Sequence, residues 1–205
     1  MTTTKTATFV ATAINIANDD SHGYSQVNRW SPDFDCSSLM YFCAEKAGYP
    51  INRDDPRYTG SMIRDFTAIG FRCDAFDGNL SDLEIGDILL NTAYHTAVYI
   101  GSGKIVEASI DENGGVTGAR TGDQTGHEIH IRTVYDYPWT HVLTPPKDEQ
   151  KPAPTPATPT AKPSQTLDDA ITTIAIAVLD GRYGNGDARK QALYDAIQSR
   201  VNELL

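Results

Sequence analysis

A proline-rich segment divides this chain and limits what each part can fold into. Seven of the eleven prolines lie within residues 145–166, separated mainly by threonine, alanine and lysine. Proline supplies no backbone N–H, and a segment of this composition buries too little apolar surface to form a packed core. We therefore predict a folded domain at residues 1–144, an extended linker at 145–166 and a small helical unit at 167–205.

Charge and composition argue against several classes of partner. The chain has 205 residues and a formal net charge of -10, so the nucleic-acid backbone would be repelled. No apolar run approaches the length of a membrane span. Residues near the N-terminus lack the apolar core and cleavage site of a signal peptide. We expect no nucleic-acid partner, no insertion into a membrane and synthesis without a secretory signal.

Hydrophobic periodicity changes along the first domain from helical to alternating. Apolar residues recur with helical spacing in three segments, at residues 7–17, 36–47 and 60–69. Alternating segments follow at residues 71–76, 87–91, 95–100, 104–109 and 127–133. Helices followed by a run of strands predict an α+β fold in which N-terminal helices pack on an antiparallel β-sheet. Residues 167–205 contain two apolar stripes, and a short middle helix is expected around residues 187–192. This pattern predicts a small all-α three-helix bundle.

Cys36 lies where the second predicted helix begins. Asp35 is predicted to cap that helix, because its carboxylate can accept a free backbone N–H. Unpaired N–H groups and the helix dipole favour the thiolate there and are expected to lower the pKa of the thiol. We interpret Cys36 as a candidate nucleophile, with a structural cysteine as the alternative. Cys43 and Cys73 are interpreted as small buried hydrophobic residues.

A predicted β-hairpin brings a histidine and a carboxylate together. His95 opens one strand, and a three-residue loop at 101–103 leads into the next. In that register Ala97 lies opposite Glu107, so His95 and Glu107 are diagonal neighbours on one face. A two-residue loop would turn Glu107 to the other face. The hairpin therefore predicts a His–carboxylate pair in which Glu107 holds the imidazole in one tautomer.

Other polar clusters favour structural interpretations. Strand alternation is expected to put His127 and His130 on opposite faces, which argues against a zinc site. Residues 111–115 are interpreted as a solvated turn and not as a calcium loop. Tyr137 and Trp139 are predicted to close the core of the sheet. We expect no metal and no cofactor.

Four short segments together resemble the NlpC-type cell-wall cysteine peptidases of the papain-like superfamily. The segments are Gly23-Tyr24-Ser25, Phe34-Asp35-Cys36-Ser37-Ser38, Ile85-Gly86-Asp87-Ile88-Leu89 and His95-Thr96-Ala97-Val98-Tyr99-Ile100-Gly101. The resemblance covers roughly residues 7–143. The group includes phage endolysin domains that cut the stem peptides of peptidoglycan.

This resemblance implies a catalytic set. Cys36 is the implied nucleophile, His95 the general base and Glu107 the third polar residue, where many members have a histidine. Tyr24 is the implied oxyanion partner, acting with the backbone N–H of Cys36. The family's Trp-Gly-Gly segment after the tyrosine is missing, and residues 26–30 replace it.

The tail resembles the cell-wall-binding repeat of the CW-seven type, a three-helix module found in phage lysozymes and amidases. The matching residues that are implied to bind the wall are Asp180, Tyr183, Gly184, Asn185, Gly186 and Arg189. Tyr183 stands where the family usually has tryptophan. The alternative is a charged, solvated bundle surface.

Both resemblances imply a peptidoglycan hydrolase of the endolysin type, made in the host cytoplasm and acting on the bacterial cell wall after release. The expected reaction is cleavage of a γ-D-glutamyl or isoglutaminyl bond. Two alternatives stay open, an N-acetylmuramoyl-L-alanine amidase on the same scaffold and a wall-binding protein with an inactive catalytic domain.

Overall fold

In the computed structural model, the described residues are 3–51, 57–118, 120–147 and four residues of the tail. The chain divides into two compact units, Met1–Lys147 and Asp148–Leu205. The four described tail residues are helical: Lys190, Gln191, Leu193 and Tyr194. The predicted linker, most of the predicted bundle and all six predicted wall-binding residues lie outside the described residues. The predicted domain boundaries stay predictions.

The first unit begins with helices and continues as strands. Its described helices are α1 (Thr4–Ala17), α2 (Cys36–Lys46) and α3 (Met62–Ala68), and short 3₁₀ turns lie at Thr59–Ser61 and Leu80–Asp82. Its described strands are β1 (Arg72–Ala75), β2 (Ile88–Asn91), β3 (His95–Gly101), β4 (Lys104–Ala108), β5 (Ile129–Thr133) and β6 (His141–Thr144). The predicted α+β class is confirmed.

Local sequence explains where the first two helices begin. The side chain of Thr3 caps α1 by accepting the N–H of Thr6, with 3.0 Å between Oγ1 and N. Asp35 caps α2 as predicted, and its Oδ1 accepts the N–H of Ser38 at 2.8 Å. Ser38 Oγ in turn accepts the N–H of Asp35 at 2.9 Å. This reciprocal pair is a capping box, which fixes Cys36 as the first helical residue.

The strands form one six-stranded antiparallel sheet in the order β1-β6-β2-β3-β4-β5. The last strand, β6, lies between β1 and β2. It was not predicted from the sequence. The other five coincide with predicted segments: β1, β2, β4 and β5 lie within them and are shorter, and β3 extends one residue further, to Gly101. Antiparallel pairing follows from the hairpin connections of β2, β3 and β4.

The two faces of the sheet have different coverings. One face carries a cluster made by Leu89, Ala97, Ile105, Trp139 and Val142, against which Tyr135 and Tyr137 pack. This agrees with the predicted core role of Trp139. Side chains alternate along strands, so Ile88, Leu90, Val98 and Val106, all fully buried, belong to the opposite face. Helices α1 and α2 pack against the sheet. No described helix has the length and apolarity that crossing a membrane would require.

Candidate active site

Cys36 occupies the first turn of α2 and is 7% exposed. Burial raises the pKa of this thiol, and the nearby backbone N–H groups of Thr96 and Ser37 act in the opposite direction. Thr96 is the second residue of β3, so α2 delivers the sulfur to the start of that strand. The thiol therefore lies beside the residue that follows His95.

The expected lowering of the Cys36 pKa was wrong. Burial of the thiol, and then the negative charge of Asp35, raise the pKa to about 12, against the N–H groups and the cation of Arg29. Burial disfavours a charge more strongly than a helix terminus stabilises it. The resting thiol is thus protonated at neutral pH, and its use as a nucleophile requires a base.

Arg29 is a site residue that the sequence did not single out. Its Nε lies 2.7 Å from Asp35 Oδ2, and its Nη2 lies 3.1 Å from Asp35 Oδ1. Nη2 also donates to Ser37 Oγ at 2.7 Å. The guanidinium lies over the ring of Trp30, 5.0 Å from its centroid. Arg29 and Trp30 both lie in residues 26–30, and Arg29 compensates the carboxylate next to the candidate nucleophile.

The β3–β4 hairpin has the predicted register, but its loop is shorter than predicted and β3 contains a bulge. Gly101 pairs with Lys104, so the loop holds only Ser102 and Gly103, not three residues. Both loop residues have positive φ, 52° and 68°, which suits a tight hairpin turn. A bulge at Ile100 adds one residue to β3, and beyond it Tyr99 pairs with Ile105. The bulge offsets the shorter loop, so Glu107 keeps the predicted face.

His95 and Glu107 are in direct contact. His95 Nε2 lies 3.0 Å from Glu107 Oε2, and the glutamate is fully buried. A carboxylate at this distance holds the proton on Nε2. Nδ1 is then the ring nitrogen that can act as a base. No hydrogen bond joins the Cys36 sulfur to His95 in the described part of the chain.

Aromatic side chains cover the His95 ring. Trp139 stacks on it with 5.7 Å between centroids and an interplanar angle of 27°, and Tyr137 meets it edge-on at 5.5 Å. Burial raises the pKa of Tyr137, and the negative charge of an ionised Cys36 would raise it further. Both aromatics border a surface cleft of about 460 Å³. They therefore do more than close the core, because they pack on the imidazole and also line the cleft.

Tyr24 lies near the candidate nucleophile. It is buried, and its raised pKa reflects desolvation first and then the charge of Cys36. Its hydroxyl accepts a hydrogen bond from Gln26 Nε2 at 3.3 Å. Among the described residues, no hydrogen-bond acceptor is found for the Tyr24 O–H.

Buried carboxylates hold the Tyr24 loop in place, and the sequence reading missed them. Glu128 Oε2 accepts the N–H of Tyr24 at 2.9 Å. Asp33 Oδ1 accepts the N–H groups of Gly23 at 2.9 Å and Gly122 at 3.0 Å. A Cβ on Gly23 would lie 2.2 Å from the carbonyl oxygen of Gly122, so only glycine allows this approach. The contacts of Tyr24 with Glu128 and of Asp33 with Gly122 join residues more than 80 positions apart, which local patterns do not reveal.

The polar clusters set aside in the sequence have structural partners. The rings of His127 and His130 are in contact, 5.7 Å apart. The expectation of opposite faces was wrong because β5 begins only at Ile129, so alternation does not extend to His127. Asp111 accepts backbone N–H groups from Asn113, Gly115 and Gly118. Among the described residues, no three His, Cys, Asp or Glu side chains form a group that could hold a metal ion.

Two family models match parts of the chain. Residues 172–205 match the CW_7 repeat, and residues 105–154 match the endolysin-like domain. The second match includes Glu107 and Trp139. No curated protein sequence matches this chain.

The search of solved structures found matches with low sequence identity. The P60 domain of a Mycobacterium avium subspecies paratuberculosis antigen is 18% identical, with a TM-score of 0.43, over 67% of this chain and 93% of that one. The peptidoglycan hydrolase RipB of Mycobacterium tuberculosis is 20% identical, with a TM-score of 0.42, over 66% of this chain and 63% of that one. NlpC1 of Trichomonas vaginalis is 17% identical, with a TM-score of 0.40, over 65% of this chain and 42% of that one.

This chain therefore spans less than two thirds of RipB and of NlpC1. Two separate parts of the chain match family models: residues 105–154 are similar to endolysin-like domains, and residues 172–205 are similar to CW_7 repeats.

Proposed function

We propose that this chain is a cysteine-type peptidoglycan hydrolase of the endolysin kind. One observation carries the proposal. The buried thiol of Cys36, at the start of α2, lies beside the strand that begins at His95, and Glu107 lies 3.0 Å from Nε2 of that histidine. A nucleophile, a base and a group that orients the base are the parts that covalent amide hydrolysis needs. The matches to the endolysin-like domain and the CW_7 repeat support peptidoglycan as the substrate.

The proposed reaction begins with proton transfer from Cys36 to Nδ1 of His95. The resulting thiolate attacks the carbonyl carbon of a stem-peptide amide. The backbone N–H of Cys36 and the hydroxyl of Tyr24 donate to the oxyanion of the tetrahedral intermediate. Collapse breaks the C–N bond, His95 returns the proton to the leaving amine, and a thioester remains. Water, deprotonated by His95, then hydrolyses the thioester and restores the thiol.

The burial of Cys36 fits this order of events. Its raised pKa keeps the thiol neutral until a base takes the proton. Glu107 remains available to stabilise the imidazolium, because nearby donors and charges hold its pKa below the usual value against the opposing effect of burial. The thiolate is then formed only together with the imidazolium.

We propose that the bond cut is a γ-D-glutamyl or isoglutaminyl bond of the stem peptide. Mass spectrometry of the released muropeptides tests this choice. An N-acetylmuramoyl-L-alanine amidase would instead leave muramic acid without peptide. A wall-binding protein with an inactive catalytic domain would release no fragments.

Residues 167–205 are proposed to tether the enzyme to the wall through Asp180, Tyr183, Gly184, Asn185, Gly186 and Arg189. Attachment through a second module raises the local concentration of substrate at the first. Synthesis in the host cytoplasm, followed by action on the wall after release, is part of the same proposal.

The decisive experiment is loss of turbidity of purified bacterial cell walls. Wild-type protein should clear the suspension and Cys36→Ala should not. Cys73→Ala is the matched control, because Cys73 is a half-buried thiol on β1, outside the candidate site. Equal clearing by Cys36→Ala and wild type would reject the proposed nucleophile.

A further inference from the structure

The Glu107 carboxylate contacts three polar side chains besides that of His95. Its Oε2 accepts from His95 Nε2 at 3.0 Å and from the hydroxyl of Tyr135 at 3.1 Å. Its Oε1 faces Arg132 Nη1 at 3.4 Å and His130 Nε2 at 3.6 Å. The carboxylate thus has partners on both oxygens, although none of its surface is exposed.

The partners come from one stretch of chain that follows β4 in the sheet. His130 pairs directly with Glu107 across the β4–β5 ladder, and Arg132 lies two residues further on the same face. Tyr135 follows β5 and crosses back over that face. The Arg132 guanidinium lies over the Tyr135 ring, 4.0 Å from its centroid. Arg132 and Tyr135 therefore fix each other as well as the carboxylate.

Tyr135 is also held from its other side. Its ring meets Tyr137 edge-on at 5.6 Å and Trp139 edge-on at 6.0 Å. Those two aromatics contact the His95 ring. The hydroxyl that bonds Glu107 and the rings that cover His95 are consequently parts of one packed aromatic group, which gives the hydroxyl little freedom to move.

A fully buried carboxylate must be stabilised if it is to stay ionised beside an imidazole. Burial raises the pKa of Glu107, whereas the hydrogen bond and charge of His95, and the charges of His130 and Arg132, lower it, and the net direction is down. Tyr135 donates to the ionised form, and its own raised pKa keeps the phenol protonated as a donor. In addition to burial and Cys36, the negative charge of Glu107 raises the pKa of Tyr137.

We propose that Tyr135 and Arg132 are positioning residues for the candidate catalytic pair, which act through Glu107 by fixing its Oε2 toward His95 and by keeping the carboxylate ionised. This inference rests on the proposed hydrolase function. It assigns roles to two residues, 28 and 25 positions after Glu107, that no short motif connects to it.

The test uses full-length variants with matched controls. Tyr135→Phe removes one O–H and keeps the ring, and Tyr58→Phe is its control at an exposed tyrosine elsewhere in the domain. Arg132→Gln removes the cation, and Arg132→Lys restores a positive charge. Arg72→Gln is the control for loss of an exposed arginine, because Arg72 pairs only with Asp74 among the described residues. The first readout is the pH profile of wall hydrolysis, and the second is ¹³C titration of the Glu107 carboxyl by NMR.

Losing a donor or a cation disfavours the carboxylate, so the pKa of Glu107 should rise. The carboxyl titration and the acid limb of the activity profile should move to higher pH in Tyr135→Phe and in Arg132→Gln. Hydrolysis by Tyr135→Phe at neutral pH should fall by roughly tenfold, the effect of one hydrogen bond to a charged group. Arg132→Lys should return the acid limb toward the wild-type position.

Unchanged acid limbs and an unchanged Glu107 titration in both variants would overturn the inference, even if their activity fell. Such a result would assign the two residues to folding alone. If wild-type protein does not hydrolyse walls, the proposed function fails first. The carboxyl titration still decides in that case whether Tyr135 and Arg132 hold Glu107 ionised.

Discussion

Arg29 and Asp35 form an ion pair directly beside the candidate nucleophile, with Arg29 Nε 2.7 Å from Asp35 Oδ2. Asp35 has two tasks that conflict. It caps α2, which fixes Cys36 at the helix start, and its negative charge opposes ionisation of the thiol. Arg29 offsets that charge without removing the cap. The segment at residues 26–30 therefore supplies the cation that compensates the capping carboxylate.

Substitution of Arg29 by methionine should make Cys36 less reactive. The cation lowers the pKa of this thiol, so its loss should raise the pKa further and slow alkylation at a fixed pH. We expect the iodoacetamide rate at Cys36 to fall by about two- to threefold, because Arg29 makes the smallest of the contributions to this pKa. Peptide mass spectrometry distinguishes Cys36 from Cys43 and Cys73. Arg29→Met combined with Asp35→Asn should recover most of the rate, because asparagine still caps a helix. No recovery would show that Arg29 acts by another route.

Replacing Glu107 with glutamine should impair the candidate base without changing the shape of the side chain. An amide can still accept from Nε2, but it cannot stabilise an imidazolium by charge. The rate of wall hydrolysis should fall by roughly a hundredfold or more. Glu84→Gln is the control, since Glu84 is an exposed glutamate that pairs with Lys147 at 2.9 Å. Activity near the wild-type level in Glu107→Gln would remove Glu107 from the mechanism.

Acid should destabilise the fold partly through Asp65. This buried carboxylate accepts from Arg57 at 2.6 Å and from the Tyr41 hydroxyl at 2.8 Å, and its pKa is lowered to about 2. The unfolded value is about 4. A lowered folded pKa contributes stability above pH 4, and that contribution is lost as the pH falls toward 2.

Asp65→Asn should therefore cost about 2 kcal/mol of unfolding free energy at neutral pH, and the difference from wild type should shrink at pH 3 and below. Urea denaturation at several pH values measures this. Asp74→Asn, at an exposed pair with Arg72, should change stability by less than about 0.5 kcal/mol. A pH-independent loss in Asp65→Asn would mean that its ionisation contributes nothing.

The tail should affect wall binding and leave the chemistry unchanged. Tyr183→Ala or Arg189→Ala should weaken sedimentation with purified walls by roughly tenfold, as expected for an anchor residue at an interface. Hydrolysis of soluble muropeptides should stay at the wild-type rate. Tyr194→Ala is the control, at an exposed tail tyrosine outside the predicted binding set. A parallel loss with soluble substrate would argue against a separate binding module.

The sequence was most informative where structure is determined locally. Asp35 and Ser38 fix the start of α2 through contacts three residues apart, and the His95–Glu107 register follows from one hairpin. The loop and bulge were misjudged because a three-residue loop and a two-residue loop with a bulge give the same register. Strand β6 was missed because residues 141–144 do not alternate between polar and apolar side chains, and its neighbours β1 and β2 are distant in sequence.

The electrostatics of the site were the least predictable part. Helix position alone favours a low pKa at Cys36, whereas burial by distant segments determines the actual direction. The same holds for Glu107, whose contacts with Arg132 and Tyr135 depend on how the chain returns after β5. Contacts between residues far apart in sequence follow from packing, which one sequence does not reveal.

The position of β6 has a consequence for how the protein is made. Residues His141–Thr144 complete the sheet by joining β1 to β2, so the sheet stays in two pieces until nearly the whole first unit has left the ribosome. A nascent chain already contains Cys36, His95 and Glu107 but lacks the strand that unites the domain. Pairing between segments so far apart in sequence slows folding. Prematurely terminated chains would therefore carry the complete set of candidate catalytic residues without the completed sheet that supports them.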